Sequence, residues 1–162
     1  MTEPHPGRPQ ARPPRVRVAG FDDLDARTAY LLWQLRESVF VVEQECPYPE
    51  LDGHDLEPGT RHVWVEEDGC PVAYLRLLED PDGVRIGRVL VAQHRRGGGL
   101  AAALMRTALE LVGDRPSLLD AQSYLARWYT RFGYERAGEE FLDDGIPHVP
   151  MRRPGQATRS RA

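Results

Sequence analysis

The chain has 162 residues, the length of one ordinary domain, and 41% of them are hydrophobic. No apolar run approaches the ~20 residues that span a membrane, and no signal-peptide pattern opens the sequence, so we expect a cytoplasmic protein that does not enter a membrane. Residues 16–153, the predicted folded part, hold 24 of the 25 acidic residues but 16 of the 21 arginines, and this net charge of −8 argues against nucleic-acid binding.

The first part of the chain predicts a disordered leader, one strand and one helix. Residues 1–15 contain five prolines and few apolar side chains, which is the composition of a disordered segment. Residues 15–21 alternate between apolar and polar side chains, which predicts a strand. From Leu24 the apolar residues fall at helical spacing, so we expect a helix to about Val39, with one of the preceding aspartates as its N-cap.

Residues 41–59 predict an ordered loop, because prolines and glycines interrupt any continuous helix or strand there. Six acidic side chains and no arginine occur between residues 43 and 57, interleaved with aromatic and aliphatic residues. We call residues 43–57 the acidic loop, and we expect it to be functional and to attract a cationic ligand.

The middle of the chain predicts a β-meander. Strands at residues 62–66, 72–78 and 84–91 are separated by two turns that each contain Asp-Gly, which is typical of antiparallel hairpins. A helix is expected at residues 99–112, where Gly113 ends it.

The last part predicts a short buried strand at 118–121, a helix at 124–132 and two strands at 134–137 and 147–152, which should pair across an Asp-Asp-Gly turn. From residue 154 onward we expect a disordered tail, so residues 16–153 should form one domain. This order of elements predicts a mixed α/β fold with a central, mostly antiparallel sheet flanked by helices.

A glycine-rich turn, Arg95-Arg96-Gly97-Gly98-Gly99-Leu100, lies between the third meander strand and the following helix. Three glycines let backbone amides converge, and the helix start adds unpaired N–H groups and a positive dipole end. We therefore expect a phosphate-binding loop; the alternative is a flexible connection with solvated arginines. The sequence lacks the Gly-Lys-Ser/Thr of a P-loop and the third glycine of a dinucleotide-binding turn.

The spacing Arg96-x-x-Gly99-x-Ala101 resembles the pyrophosphate loop of the GNAT family of N-acetyltransferases. Two longer stretches, residues 36–53 and 144–151, resemble the ElaA-like branch of that family, and the similarity extends over about residues 22–153. The resemblance implies a single GNAT domain that uses acetyl-CoA as cosubstrate, without a metal, to acetylate a primary amine. Position 98 departs from the family, because glycine stands where a basic residue is common.

The resemblance also assigns roles by position. Tyr129, within residues 128–134, corresponds to the tyrosine that protonates the departing thiolate of CoA; the alternative is a core tyrosine beside Trp128 and Phe132. Pantetheine is expected along Val89, Leu90 and Val91, and pyrophosphate at Arg96, Gly97, Gly98, Gly99, Leu100, Ala101 and Ala102.

The base that takes the proton of the amine is less well defined. Glu43 is the first candidate for amine contact or base, because Val41 and Val42 should hold it near the core. Further candidates for contact with the acceptor are Asp52, His54 and His148, and a structural role is the alternative for the histidines.

We expect direct acetyl transfer, because neither cysteine, Cys46 or Cys70, lies beside the glycine turn or in a Cys-His pattern. The alternative function is a catalytically silent module that binds acetyl-CoA as a sensor or regulator. Polyamine-like amines, aminoglycosides, amino acids and protein amino groups all stay open as acceptors. A homodimer is common in such folds, but here it rests on analogy.

Overall fold

The computed structural model describes residues 13–156, which form one sheet of eight strands with helices on both faces. The leader predicted at residues 1–15 and the tail predicted at 154–162 lie outside the described residues, apart from residues 13–15 and 154–156. Within the described range, no helix is long and apolar enough to cross a membrane.

The predicted order of strands and helices is confirmed except for one short additional strand, Phe141–Asp143, which the sequence did not predict. The strands are β1 Val16–Ala19, β2 Arg61–Glu67, β3 Cys70–Asp80, β4 Gly83–Val91, β5 Ser117–Gln122, β6 Glu135–Arg136, β7 Phe141–Asp143 and β8 Ile146–Arg153. The helices are α1 Ala26–Glu37, α2 Leu100–Val112 and α3 Ala126–Thr130. Asp25 is the N-cap of α1, since its side chain accepts a hydrogen bond from the N–H of Thr28 at 2.7 Å.

The strand order in the sheet is β1-β2-β3-β4-β5-β8-β6, and β7 also pairs with β8. Strands β1, β2, β3 and β4 pair with one another in antiparallel order, and the β2-β3-β4 part confirms the predicted meander. β5 follows the α2 crossover and pairs with β4 in parallel, whereas β5 and β8 are antiparallel. The predicted mixed, mostly antiparallel sheet flanked by helices is therefore confirmed.

Three boundaries differ from the prediction. The helix does not end near Val39, because α1 continues as a π-helical turn, Ser38–Glu43. α3 has five residues, because a 3-10 turn, Ser123–Leu125, takes up the first part of the predicted helix. The Asp143-Asp144-Gly145 turn joins β7 to β8, and not the strand after Tyr134, because β8 is long enough to pair with β6 and β7 in succession.

Two apolar clusters hold the helices on opposite faces of the sheet. The larger packs α2 and α3 against the strands and includes Leu75 and Leu104. The smaller packs Leu32 of α1 against Tyr74 of β3. Because side chains alternate along a strand, Arg76 faces α1 together with Tyr74. The α1 face of the sheet therefore carries a buried cation as well as apolar side chains.

A buried cluster of arginines and carboxylates fastens the acidic loop to this face. Arg36, which has no exposed surface, donates from Nε to Glu50 and from Nη1 to Asp55, both at 2.7 Å. Arg76 donates to Asp55 at 3.0 Å and to the two carboxylate oxygens of Asp52 at 2.9 and 2.7 Å. Helix α1, strand β3 and the loop are thus joined by ion pairs that are buried at Glu50 and Asp55 and partly exposed at Asp52.

Arg88 of β4 and Tyr48 of the loop complete this arginine–carboxylate cluster. Arg88 Nε donates to Glu50 Oε1 at 2.9 Å, and the Tyr48 hydroxyl donates to Glu50 Oε2 at 2.7 Å. The expectation that the whole loop presents free negative charge is therefore wrong, because arginines from three other elements neutralise Glu50, Asp52 and Asp55.

Replacing Arg36 by methionine should leave Glu50 paired only with Arg88, and Asp55 paired only with Arg76, while keeping a long side chain in the space. We expect the free energy of unfolding to fall by about 3 kcal/mol, because two buried carboxylates then each lose one of their cations. Urea denaturation followed by circular dichroism measures the change. The matched control is Arg27→Met on the exposed side of α1, expected within about 0.5 kcal/mol of the parent. Equal stability of the two variants would contradict a stabilising role for the cluster.

Candidate active site

β4 and β5 diverge and leave an open cleft between them. They pair at two positions only, Val84 with Ser117 and Arg85 with Leu118, near the start of each strand. Beyond these pairs lies a cleft of about 1230 Å³, lined by residues from both faces of the sheet. The β5-facing edge of β4 therefore has no strand partner over its second half within the described chain. A smaller depression of about 330 Å³ near β1 contains none of the predicted site residues.

The open half of β4 carries a β-bulge. Tyr74 lies opposite Leu90 but Arg76 lies opposite Gly87, so β4 has one extra residue in this interval. Arg88 within it has a φ of 55°, in the left-handed region that non-glycine residues rarely adopt. Its ion pairs with the acidic loop hold this residue in place, so the arginine–carboxylate cluster also shapes the wall of the cleft.

Val91, the last residue of β4, turns its backbone toward the cleft. The N–H of the next residue, Ala92, donates to Val72 O on β3 at 2.8 Å, so the backbone groups of Val91 point the other way. Val91 O accepts a hydrogen bond from Arg96 Nε at 3.1 Å. Its N–H forms no hydrogen bond with any described residue, and it is a donor available to a ligand in the cleft.

The glycine-rich turn presents further amides at the end of the cleft. Gly97 and Gly99 have φ values of 80° and 78°, which glycine adopts without the steric cost of a Cβ atom. The first backbone bond of α2 runs from Ala103 N–H to Gly99 O, and no side chain caps the helix. The N–H groups of the three residues before Ala103 are therefore open to an anion at the positive end of the helix.

Arg96 of this turn is engaged with Glu43. Its Nη1 and Nη2 donate to the carboxylate of Glu43 at 2.5 and 2.8 Å, and the hydrogen bonds from Arg96 lower the pKa of Glu43. The reason for expecting Glu43 near the core is wrong, since Val42 is 68% exposed and the Glu43 side chain 33%. A carboxylate with a lowered pKa and a bound arginine is a weak base. Arg95 is also paired, with Glu67.

Tyr129 lines the cleft from the α2 side of the sheet. Its residue surface is only 6% exposed, and its ring packs edge-on against Trp128 at 4.9 Å and near Tyr134 at 6.3 Å. Burial raises the pKa of the Tyr129 phenol, and no described residue forms a hydrogen bond with its hydroxyl. Tyr129 is therefore a protonated donor whose hydroxyl is available to a ligand in the cleft.

The α1 face of the cleft carries polar residues that the sequence reasoning missed. Asp143 and Asp144 line it from the β7–β8 turn and form no ion pair with any described residue, and Tyr48 and Arg88 line it from the acidic loop and β4. The Asp-Asp-Gly sequence signals only a turn; the pairing of β7 with β8 brings it to the cleft. Arg88 lies directly before the apolar run Val89–Val91, and this charged residue within β4 was the one sequence signal that could have pointed to it.

Most of the predicted site residues line this one cleft: Glu43, Val89, Leu90, Val91, Arg96, Gly97, Gly99, Leu100, Ala101, Ala102, Tyr129 and His148. Gly98 lies in the turn but does not line the cleft. The structure does not bring Asp52 and His54 to it. Asp52 is held by Arg76 in the arginine–carboxylate cluster, and His54 is exposed with Nδ1 2.5 Å from Glu57.

The two cysteines are poorly placed or poorly activated to act as nucleophiles in the cleft. Cys46 also lines it, but burial, and then the nearby charge of Asp144, raises the pKa of this thiol, so little reactive thiolate is present at neutral pH. Cys70 is exposed and does not line the cleft. Within residues 13–156, no group of three or more metal-ligating side chains is arranged to hold an ion.

Several known proteins are similar to this chain in sequence and in structure. A model of the acetyltransferase (GNAT) domain matches residues 35–154. A UPF0039 protein of Mycobacterium tuberculosis is 53% identical over 144 residues, which are 86% of this chain and 92% of that protein. An acyl-CoA N-acyltransferase from Pseudomonas aeruginosa is 42% identical, with a TM-score of 0.82 over 86% of this chain and 99% of its own. Escherichia coli ElaA is 37% identical, with the same TM-score and coverage.

Proposed function

Since this chain belongs to the GNAT acetyltransferase family, we propose that it transfers an acetyl group from acetyl-CoA directly to the nitrogen of a primary amine. One observation carries the proposal. A single cleft holds an unpaired strand edge, a helix N-terminus with open amides and a tyrosine hydroxyl without a partner. These are respectively a site for an extended amide chain, a site for phosphate and a proton donor.

The residues of the cleft would suit the pantetheine and the pyrophosphate of acetyl-CoA. The open edge of β4 at Val89 and Val91 would pair with the amides of pantetheine as an added strand does. The amides that begin α2, together with Arg96, would hold the pyrophosphate. When bound, acetyl-CoA supplies the acetyl group as a reactive thioester.

Two groups of this chain would act on the reacting atoms. The N–H of Val91 would donate a hydrogen bond to the acetyl oxygen as negative charge develops there. The hydroxyl of Tyr129, kept protonated by burial, would give its proton to the departing sulfur. Transfer would be direct, since Cys46 has a raised pKa and Cys70 lies outside the cleft.

Replacing Tyr129 by phenylalanine removes the proton donor and leaves the ring that packs against Trp128. We expect kcat to fall by about 100-fold, which is typical of losing one general acid, while the affinity for acetyl-CoA stays within twofold of the parent. A thiol reagent that reports CoA release measures the rate on a panel of amines. Turnover by Tyr129→Phe at the parent rate would contradict the acid role. A parent that binds acetyl-CoA but releases no CoA with any amine would favour the sensor function instead.

Replacing Glu43 by glutamine should strengthen acetyl-CoA binding. In the free protein the Glu43 carboxylate occupies the guanidinium of Arg96, so a pyrophosphate must displace it. Because exposed ion pairs contribute less than about 1 kcal/mol, we expect the Kd to fall by about two- to fivefold. The matched control is Glu37→Gln, which removes the same charge from an exposed position six residues earlier and should leave the Kd unchanged. Weaker binding by Glu43→Gln would instead indicate that Glu43 contacts the cofactor favourably.

A further inference from the structure

His148 is the only histidine among residues 13–156 that lines the cleft. His54 lies on an exposed turn, His94 precedes the glycine turn, and His62 is sealed in the core. Since residues alternate along β8 and Val149 packs in the core beneath α2, His148 projects from the opposite face of the sheet, where α1 and the acidic loop lie. It therefore approaches the cleft from the side opposite the helix that carries the proton donor.

The hydrogen bonding of His148 determines which ring nitrogen is available. Its Nδ1 lies 2.8 Å from the carbonyl oxygen of Ile146. A carbonyl only accepts, so Nδ1 carries the proton and Nε2 of the neutral ring carries a lone pair. The ring stacks on Phe141 at 5.8 Å, and the residue lies opposite Gln122 in the β5–β8 register. Nε2 forms no hydrogen bond with the described residues, and the ring that presents it is held in one orientation.

Charged and titratable groups from five neighbouring parts of the chain share this face of the cleft with His148. They are Asp143 and Asp144 from the β7–β8 turn, Asp120 from β5, Arg85 and Arg88 from β4, Arg76 from β3, and Tyr48 and Cys46 from the acidic loop. The arginines are all engaged: Arg85 with aspartates, Arg76 and Arg88 with the arginine–carboxylate cluster. Asp143 and Asp144 form no ion pair with the described residues. The uncompensated charge near His148 is therefore negative and favours a cationic ligand.

The other carboxylates near the cleft are paired with arginines, except Asp143 and Asp144, which are exposed to solvent at its edge. Glu43 is bound to Arg96, Asp120 is bound to Arg85 at 3.3 Å, and Glu50 is buried among arginines. A carboxylate held by a guanidinium gains little by accepting a proton. By contrast, no guanidinium of the described residues is bound to Nε2 of His148, which is open to accept a proton.

We propose that His148 is the general base of the reaction and that the acceptor is a cationic primary amine, which enters past the Asp143–Asp144 turn. This inference rests on the proposed acetyl transfer. Nε2 of His148 removes one proton from the ammonium, and the freed nitrogen lone pair forms the new C–N bond as the C–S bond breaks. The sulfur takes the proton of Tyr129, and the second proton of the nitrogen replaces it on the tyrosine. The proton on His148 passes to water, so one proton is released for each amide formed.

The test compares His148→Gln with the matched control His94→Gln, an exposed histidine that does not line the cleft. CoA release is measured from pH 6 to 10 with spermidine, kanamycin, tyramine and a lysine peptide. At pH 7 we expect kcat/KM for the amine to be about 100-fold lower in His148→Gln, with an unchanged Kd for acetyl-CoA and no change in the control. The deficit should narrow as the pH approaches about 10, the ordinary pKa of an alkylamine, because the amine then arrives without its extra proton.

A second variant tests the class of acceptor. Asp143→Asn combined with Asp144→Asn should raise the KM for spermidine several-fold and leave kcat unchanged, because the charge that attracts the ammonium is lost.

Three outcomes would overturn the inference. If kcat/KM of His148→Gln were lower than that of the parent by the same factor at every pH, His148 would have a structural role only. If kcat/KM of His148→Gln equalled that of the parent, His148 would be dispensable. A parent that binds acetyl-CoA but acetylates none of the amines would remove the reaction that needs a base. Failure of the parent to bind acetyl-CoA would contradict the proposed function itself, which is a separate and distinguishable result.

Discussion

One edge of β4 has no strand partner among the described residues over its second half, and the site is organised around this constraint. A buried strand edge with unpaired N–H and C=O groups is costly unless something satisfies them. Here β5 pairs with β4 at two positions and then diverges, so the edge opens into a cleft of about 1230 Å³. α2 begins at the same end of β4 with its own unpaired amides. An elongated ligand that carries both amides and phosphates satisfies the two sets of donors together.

The arginine–carboxylate cluster keeps the other wall of the cleft in place. Arg36, Arg76 and Arg88 come from a helix and two strands, and they meet the carboxylates of a loop whose regular structure between residues 44 and 57 is a single 3-10 turn, His54–Leu56. Without these ion pairs, little would hold Tyr48 and Cys46 against the sheet or Arg88 at a positive φ. The cluster therefore stabilises the loop and also fixes the shape of the α1 face of the cleft. Pairing between the opposite charges offsets the free energy needed to remove them from water.

Local sequence signals predicted most of the elements and the glycine-rich end of the cleft, because those features depend on neighbouring residues. Gly97 and Gly99, the apolar period of α2 and the Asp-Gly turns each determine local geometry. The α1 face of the cleft depends on pairings between distant residues, such as Arg88 with Glu50 and β7 with β8, and these leave no local pattern. The acidic loop shows the difference: its composition was read correctly, but its charges were assigned to a ligand when arginines elsewhere in the chain neutralise them.

The most direct test of this account is calorimetric titration with acetyl-CoA of the parent and of Gly99→Glu. A glutamate at position 99 puts a carboxylate where the amides of the turn should meet the pyrophosphate. The matched control is Gly69→Glu, because Gly69 has a similar φ of 77° and equally open space but lies outside the cleft. The account predicts saturable binding by the parent and by the control, and none by Gly99→Glu. Undiminished binding by Gly99→Glu, or no binding by the folded parent, would contradict the assignment of this cleft to acetyl-CoA.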